Sequence, residues 1–310
     1  MKTKILATGL TGLVGSRFTE LLDGVYEFEH ISLSNGTDIL DKSAVLEKIS
    51  SSDADTVIHM AAKANVDGCE ADMERDKEIL GFGNEKEKED AWRNEKTAWA
   101  VNVFGTQNVV DACLKTGKKI VYISTDFVFD GTKKSYTEDE KPNPINWYAK
   151  TKYEGEKLIQ NSGLDHVIAR IAYPYRALFE RNDFVRALIG KLEKSEKLSM
   201  VWDHVMVPTF IDDLVNALDI LIRTDQKGIF NVVGSQRVTP FNAAIAIAQE
   251  FGFDESLITK TTRREYFFGK APRPFCLYLK NDKISKLGIE MSTFDKGLIE
   301  IKNQIDRIHI

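Results

Sequence analysis

Three glycines near the start of the chain constrain most strongly what it can fold into. Gly9, Gly12 and Gly15 follow a short apolar run, Ile5–Ala7, and precede a helical pattern over Val14–Leu22. Glycine permits a tight turn, a close approach of the backbone to a pyrophosphate, and close packing of a strand on a helix. The N-terminus of the helix then offers free N–H groups to the anion. The order of strand, glycine loop and helix therefore predicts a dinucleotide-binding site.

Strands and helices continue to alternate through the first half of the chain. Strands are predicted at Glu29–Leu33, Thr56–Met60, Lys119–Ser124 and His166–Ala169, and helices after the capping residue Asp41, over Thr97–Leu114 and over Trp147–Ile159. The run Ile120–Ile123 is apolar at every position, which is typical of a strand that is buried on both faces. The pattern predicts an α/β fold, a doubly wound parallel sheet (Rossmann-like) with helices on both faces.

After Arg170 the alternation becomes irregular. Helices are predicted over Asp183–Lys194, Asp212–Ile222 and Thr239–Phe251, and a buried strand over Gly228–Val233. We expect residues 1–172 to form a dinucleotide-binding domain, to which a strand near 228–233 returns. Residues 173–310 should form mainly a smaller C-terminal, substrate-binding lobe.

Composition excludes several classes of function. Of the 310 residues 43% are hydrophobic and 29% charged, and the net charge of −5 is dispersed, which predicts no nucleic-acid partner. Three separated cysteines indicate a reducing compartment, and five scattered histidines predict no metal site. Neither a signal peptide nor a membrane span is evident, so we expect a cytoplasmic protein.

The segment Glu70–Lys96 stands apart from this pattern. It carries a dense mixture of charges around Gly81 and Gly83, without any strand pattern. Such a composition favours a solvated surface helix and loop that is mobile at least in part. A lid over an active site is the alternative.

A tyrosine and a lysine one helical turn apart can reduce a ketone. The reaction needs a proton donor at the developing alkoxide, and the charge of the lysine can lower the pKa of the tyrosine. Three pairs have this spacing: Tyr148 and Lys152, Tyr153 and Lys157, and Tyr266 and Lys270.

Their contexts separate the three pairs. Tyr148 begins its helix, at the mouth of a parallel sheet, and Thr125 ends the fourth strand, where α/β sheets bind ligands. Tyr153 follows five residues later and projects about 140° away around the helix. Tyr266 lacks such neighbours. Tyr148 and Lys152 are therefore the favoured pair.

The spacing Gly-x-x-Gly-x-x-Gly resembles that of the extended short-chain dehydrogenase/reductase family. Three further segments agree with this family: His59–Lys63 after the third strand, Val101–Thr106 in the next long helix, and Asp38-Ile39, which resembles the pair that holds adenine. At the end of the second strand, where a carboxylate would favour NAD, stand Ser34 and Asn35, neither acidic nor arginine. NADP(H) is favoured, and NAD(H) is left open.

A narrower resemblance rests on the segment Ser124–Gly131 and on Asn146-x-Tyr148-x-x-x-Lys152 followed by Gly155-Glu156. Both resemble the dTDP-4-dehydrorhamnose reductase family, and the similarity continues through Trp202–Thr209, Gly228–Ser235 and Arg273-Pro274. It covers nearly the whole chain.

The resemblance implies an NAD(P)H-dependent reductase of a 4-keto-6-deoxy sugar nucleotide, with a homodimer left open. It implies catalysis by Thr125, Tyr148 and Lys152. The implied cofactor-binding residues are Gly9, Gly12, Leu13, Val14, Gly15, Ser34, Asn35, Asp38, Ile39, Ala61, Ala62, Lys63, Asn102, Tyr148 and Lys152. The implied substrate-binding residues are Val66, Asp126, Phe127, Tyr173 and Arg273.

Departures from the family pattern leave the substrate open. They lie at Arg170–Tyr175, at Arg273–Cys276 and in the segment Glu70–Lys96, which is about twenty residues longer than expected from the resemblance. Phe127 replaces the glutamate of related dehydratases, which disfavours dehydration. A sugar-nucleotide epimerase and a non-catalytic regulatory subunit, similar to that of methionine adenosyltransferase, remain as alternatives.

Overall fold

The computed structural model of the protein describes residues 2–307, and strands alternate with helices along this range. The strands are β1 (Thr3–Thr8), β2 (Tyr26–Ile31), β3 (Thr56–His59), β4 (Lys119–Thr125), β5 (His166–Ile171), β6 (Pro174–Tyr175), β7 (Leu198–Val201), β8 (Thr209–Phe210), β9 (Gly228–Asn231) and β10 (Ile258–Thr261). The helices are α1 (Leu13–Leu22), α2 (Lys42–Ser50), α3 (Val66–Leu80), α4 (Glu85–Glu95), α5 (Gly105–Thr116), α6 (Trp147–Asn161), α7 (Phe184–Leu192), α8 (Ile211–Arg223), α9 (Pro240–Phe251), α10 (Arg263–Tyr266), α11 (Asp282–Ser285) and α12 (Phe294–Asp306). A π-helical turn, Ala100–Phe104, leads into α5.

Six strands form the main sheet in the order β2-β1-β3-β4-β5-β9. Strand β1 pairs in parallel with β2 on one side and with β3 on the other, so the chain reverses its direction of winding at β1. Ligands of open α/β sheets bind outside the carboxyl ends of the strands at such a switch point. The predicted doubly wound parallel sheet is confirmed.

The second strand begins earlier than the prediction of Glu29–Leu33. It spans Tyr26–Ile31, because Tyr26 and Phe28 both pack their rings against Phe18 of α1. Leu33–Asn35 instead forms a 3₁₀ turn.

The chain divides into two compact units. The first contains the residues up to Val128, Pro144–Ala169 and Asp225–Ile229. Its core joins apolar side chains of the central strands to those of the covering helices, and buried examples are Leu6, Val57, Val109, Ile120 and Ile168. This packing holds the carboxyl ends of β1, β3 and β4 at one edge of the sheet.

The second unit contains Phe129–Asn143, Arg170–Thr224 and the chain from Phe230 onward. Its two small sheets pair β7 with β10 and β6 with β8. The segment 129–143 lies in this unit although it precedes residue 172, because Phe129 stacks on Tyr136 at 4.3 Å and Tyr136 bridges to Leu279. The assignment of 1–172 to the cofactor and of 173–310 to the substrate stays a prediction.

The segment Glu70–Lys96 is helical, as expected, but it is not merely a solvated surface element. Helix α3 buries Cys69, Asp76 and Ile79, and α4 buries Trp92, whose ring lies 5.0 Å from that of Phe104. Only three of the fifteen residues of α3 and one of the eleven residues of α4 are buried, so the many charges around them conceal the inward face in the sequence.

Among residues 2–307, no helix is both long and apolar enough to cross a membrane. The same part of the chain contains no cluster of three or more histidine, cysteine, aspartate or glutamate side chains that could hold a metal ion.

Candidate active site

The glycine loop between β1 and α1 is packed too tightly for side chains. Gly9 has a φ of +74°, and a Cβ at this position would lie 2.7 Å from the backbone nitrogen of Ala61. A Cβ at Gly15 would lie 2.4 Å from the carbonyl oxygen of Gly9 and 2.6 Å from the Cα of Leu10. Both glycines are therefore required by the backbone itself.

Helix α1 begins at Leu13 with Gly12 as its N-cap, and no side chain caps it. The N–H of Gly12 donates to the carbonyl of Gly9 at 3.0 Å, which closes the turn before the helix. Leu13, Val14 and Gly15 form the first helical turn, whose N–H groups have no partner within an α-helix. A helix N-terminus that no side chain caps and that follows a glycine turn is suited to bind a pyrophosphate.

A cavity of about 540 Å³ lies beside this loop. Seven of the predicted cofactor-binding residues line it: Gly9, Gly12, Ser34, Asp38, Ile39, Ala61 and Ala62. Asp38 Oδ1 accepts a hydrogen bond from the N–H of Leu40 at 3.0 Å, which fixes the carboxylate at the cavity wall. The structure thus brings the loop after β1, the end of β2 and the turn after β3 together around one space suited to a dinucleotide.

Lys96 also lines this cavity and was missed by the sequence analysis. Its backbone has a φ of 50° at the C-cap of α4, and its Nζ lies 3.0 Å from Asp38 Oδ2. The sequence offered no signal for it, because it is one lysine in a segment full of charges.

A buried hydrogen-bond network shapes the turn after β3. Thr8 Oγ1 accepts from the N–H groups of Met60 and Ala61, at 3.1 and 3.0 Å, and lies 2.7 Å from His59 Nδ1. His59 Nε2 lies 3.0 Å from the hydroxyl of Thr106. Burial, together with the charge of Lys152, lowers the pKa of His59 to about 3, so the ring is neutral. With Thr8 donating to Nδ1, the imidazole carries its proton on Nε2.

Asn102 of the π-helical turn holds the next part of this turn. Its Oδ1 accepts from the N–H of Lys63 at 2.8 Å, and its Nδ2 donates to the Lys63 carbonyl at 3.0 Å and to Thr151 Oγ1 at 2.9 Å. The predicted residue Asn102 thus positions the backbone of Lys63. The Lys63 ammonium is paired with Asp72 at 2.6 Å.

The three predicted catalytic residues come from two neighbouring elements. Thr125 is the last residue of β4, and Tyr148 and Lys152 lie one turn apart on α6, which Asn146 caps by accepting from the N–H of Ala149 at 2.9 Å. Thr125 lies close enough to the Tyr148 hydroxyl to lower its pKa. The Lys152 ammonium lies buried, 4.0 Å from the centroid of the Tyr122 ring.

The electrostatics of this group differ from the sequence-based expectation. Burial raises the pKa of Tyr148 above its ordinary value, and the nearby Thr125 opposes the rise. Burial lowers the pKa of Lys152 to about 7, and the nearby carboxylate of Glu156 opposes that fall. The charge of Lys152 is not among the causes that shift the pKa of Tyr148, and burial determines the direction of that shift.

The other two tyrosine–lysine pairs lack these neighbours. Tyr153 has Lys157 Nζ 5.3 Å from its ring centroid, and that lysine is paired with Glu154. Tyr266 is exposed and belongs to the second unit.

Three predicted substrate-binding residues lie in the first unit. Val66 begins α3, and Phe127 meets the ring of Tyr148 edge to face with 6.2 Å between centroids. Asp126 is buried; its Oδ1 accepts from the Thr125 hydroxyl at 3.1 Å, and its Oδ2 has no partner within residues 2–307. Burial raises the pKa of Asp126 to about 7.

The other two lie in the second unit. Tyr173 has a left-handed backbone with a φ of 40°, and its hydroxyl lies 3.1 Å from His204 Nε2. His204 Nδ1 lies 2.8 Å from the carbonyl of Pro274, and burial lowers the pKa of this histidine to about 4. A strained tyrosine held in this way is typical of binding sites. The guanidinium of Arg273 lies 4.9 Å from the Phe267 ring centroid.

The switch-point cavity, the glycine loop and the Tyr148–Lys152 pair define an extended short-chain dehydrogenase/reductase. A family model described as "RmlD substrate binding domain" matches residues 3–86 and 79–307, and the chain belongs to this family.

Individual relatives agree with this assignment. The chain is 28% identical to dTDP-4-dehydrorhamnose reductase of Aggregatibacter actinomycetemcomitans, over 96% of this chain and 98% of that protein. It is also 28% identical to methionine adenosyltransferase 2 subunit beta of Xenopus tropicalis, over 96% and 86% of the two chains. The crystal structure of dTDP-4-dehydrorhamnose reductase from Bacillus anthracis in complex with NADP has a TM-score of 0.84 and 27% identity, over 98% of this chain and 100% of that one.

Proposed function

We propose that this protein is an NADP(H)-dependent reductase of a 4-keto-6-deoxy sugar nucleotide. The observation that carries the proposal is the placement of Tyr148 and Lys152 one turn apart on α6, with Thr125 close to the Tyr148 hydroxyl, in a unit that also holds the dinucleotide cavity. Similarity to dTDP-4-dehydrorhamnose reductases supports the class of substrate.

The dinucleotide would be held by the first turn of α1 at its pyrophosphate and by Asp38 and Ile39 at its adenosine end. The bound nicotinamide supplies hydride to a ketone. Ala61 and Ala62 form part of the cavity wall. The Thr8 hydroxyl accepts from the backbone N–H of Ala61 and so fixes the position of this turn after β3.

Within this proposal Tyr148 donates its proton to the ketone oxygen as negative charge develops there. Its raised pKa keeps the hydroxyl protonated at neutral pH. Thr125 orients the tyrosine and the substrate oxygen by hydrogen bonding. Lys152, when protonated, stabilises the phenolate that remains after proton transfer.

A panel of substrates tests the proposal directly. The protein is mixed with NADPH and several 4-keto-6-deoxy sugar nucleotides, and the products are analysed by mass spectrometry. A product heavier by two hydrogen atoms is expected with at least one of them. Full recovery of every keto sugar nucleotide would refute the proposed reaction.

The similarity to methionine adenosyltransferase 2 subunit beta supports a second candidate, a non-catalytic binding subunit. The intact group of Thr125, Tyr148 and Lys152 favours the reductase, because a binding subunit has no need of a proton donor beside a buried lysine. A cytoplasmic location and a homodimer stay predictions.

We expect NADPH to bind at least as tightly as NADH. Ser34 and Asn35 provide no carboxylate to repel a 2′-phosphate, and Lys96 adds a positive charge to the cavity wall. Calorimetric titration measures both dissociation constants, and Lys96→Met should reduce the preference whereas the exposed control Lys86→Met should not. A preference for NADH above tenfold, about 1.4 kcal/mol, would contradict the expectation.

In the Glu156→Gln variant, the fall of kcat at alkaline pH should begin at a lower pH than in the wild type. The Glu156 carboxylate raises the pKa of Lys152, so its removal leaves that pKa further below its ordinary value, and the lysine loses its proton at a lower pH. Glutamine retains an acceptor for the Ser124 hydroxyl, which now donates to Glu156 at 2.6 Å. The pH dependence of kcat provides the measurement, with Glu154→Gln as control because Glu154 pairs with Lys150 and Lys157. An unchanged alkaline limb would argue against a role for the charge of Lys152.

A further inference from the structure

We propose that Asp76, in the additional segment Glu70–Lys96, is a positioning residue that holds the first turn of α6 and thereby orients Tyr148. The inference rests on the proposed function, since it assigns Tyr148 as the proton donor. It concerns helix α3, which provides neither a residue that lines the dinucleotide cavity nor any of the three catalytic side chains.

Two carboxylates of α3 bind the residue immediately before Tyr148. Asp76 Oδ2 accepts from the indole N–H of Trp147 at 2.7 Å, and Glu70 Oε2 accepts from the backbone N–H of Trp147 at 2.7 Å. Trp147 is thus held both at its backbone and at the far end of its side chain. Two fixed points on one residue restrict rotation of the first helical turn about its own axis.

The surroundings make these bonds strong and specific. Asp76 is fully buried, and the same oxygen also accepts from the backbone N–H of Trp99 at 3.0 Å. The rings of Trp99 and Trp147 are stacked with their centroids 5.7 Å apart. A buried carboxylate with converging donors is costly to disturb, because any donor left without a partner loses its hydration in full.

The same packing reaches the tyrosine itself. Cys69, Ala98 and Trp147 form a small buried cluster, and Tyr148 packs against it. Tyr148 therefore packs against both this cluster and the ring of Phe127.

The test compares Asp76→Ala, which removes the acceptor, with Asp76→Asn, which retains an acceptor oxygen. Asp76→Ala should lower kcat about fivefold with KM for the dinucleotide unchanged, since the hydrogen bonds from Trp147 and Trp99 are lost away from the cavity. Asp76→Asn should recover most of that loss. Glu78→Gln is the matched control, because this exposed residue of α3 pairs with Arg75.

Trp147→Phe provides an independent variant in case Asp76→Ala does not fold. It removes the N–H donor but keeps an aromatic ring, and should lower kcat to a similar extent. Asp76→Ala should lower kcat by a smaller factor in that background than in the wild type, because the hydrogen bond between Asp76 and Trp147 is already absent.

Hydrogen exchange separates this inference from the proposed reaction. In Trp147→Phe, the amides of residues 147–149 should exchange at least about fivefold faster, whereas those of β1 should not change. Unchanged exchange at 147–149 would overturn the inference, as would a loss of kcat no larger than that of Glu78→Gln. If the wild-type protein reduces no keto sugar nucleotide, the proposed function fails, while exchange still decides whether Asp76 anchors α6.

Discussion

Replacement of Tyr148 by phenylalanine should lower the rate of ketone reduction by about 10²-fold or more, the usual scale of general acid catalysis. The change removes the phenolic hydroxyl, which lies near Thr125, and keeps nearly all of the volume of the ring. The edge-to-face contact with Phe127 at 6.2 Å is retained, so the fold should be little affected. Single-turnover rates with NADPH and a 4-keto sugar nucleotide provide the measurement.

Tyr153→Phe is the matched control on the same helix. Its ring lies beneath Lys157 and has no contact with the end of β4 among those described, so the rate should be nearly unchanged. Binding of the dinucleotide to Tyr148→Phe should also change little, because Tyr148 is not on the wall of the cavity. Loss of reduction in Tyr153→Phe but not in Tyr148→Phe would show that the wrong tyrosine had been chosen.

Gly15→Ala should weaken dinucleotide binding about tenfold or more. The new Cβ would lie 2.4 Å from the carbonyl oxygen of Gly9 and 2.6 Å from the Cα of Leu10, and both are backbone atoms. Backbone cannot rotate away as a side chain can, so the loop or the start of α1 must shift. Overpacking of this kind costs about 1–3 kcal/mol, and a tenfold change in affinity corresponds to about 1.4 kcal/mol.

Two other glycines calibrate this effect in the same titration. A Cβ at Gly24 meets nothing within 4 Å, so Gly24→Ala should bind as the wild type does. A Cβ at Gly12 meets only the Gly9 oxygen at 3.1 Å, so Gly12→Ala should give an intermediate loss. Equal affinities for Gly15→Ala and Gly24→Ala would mean that the glycine loop does not bind the dinucleotide.

Much of the fold was predictable because its signals are local. A strand, a glycine loop and a helix occupy residues 3–22 without interruption, and their spacing alone implies the geometry of a phosphate cradle. Likewise, Tyr148 and Lys152 share a face of α6 because four residues make about one helical turn. Such relations depend on neighbouring residues only, so no knowledge of the packed core is needed to infer them.

The directions of the pKa shifts were not predictable in this way. Proximity of a lysine suggested a lower pKa for Tyr148, yet burial raises it and lowers the pKa of Lys152 to about 7. The solvation of a side chain depends on all the elements that pack around it, and the spacing of residues in the sequence does not show which elements those are.

The sequence by itself determined the doubly wound sheet, the glycine loop and the placement of Tyr148 and Lys152 on one helix. Only the tertiary structure decided the place of the added segment, because its contacts join residues that are distant along the chain. Asp76 reaches Trp147 across 71 positions, and Lys96 reaches Asp38 at the cavity wall. The many charges of this segment are typical of a solvated surface. In the structure the buried Asp76 carboxylate accepts hydrogen bonds from Trp99 and Trp147, and so joins the segment to α6. Which charges become buried is decided by packing between elements, and periodicity within one element cannot specify it.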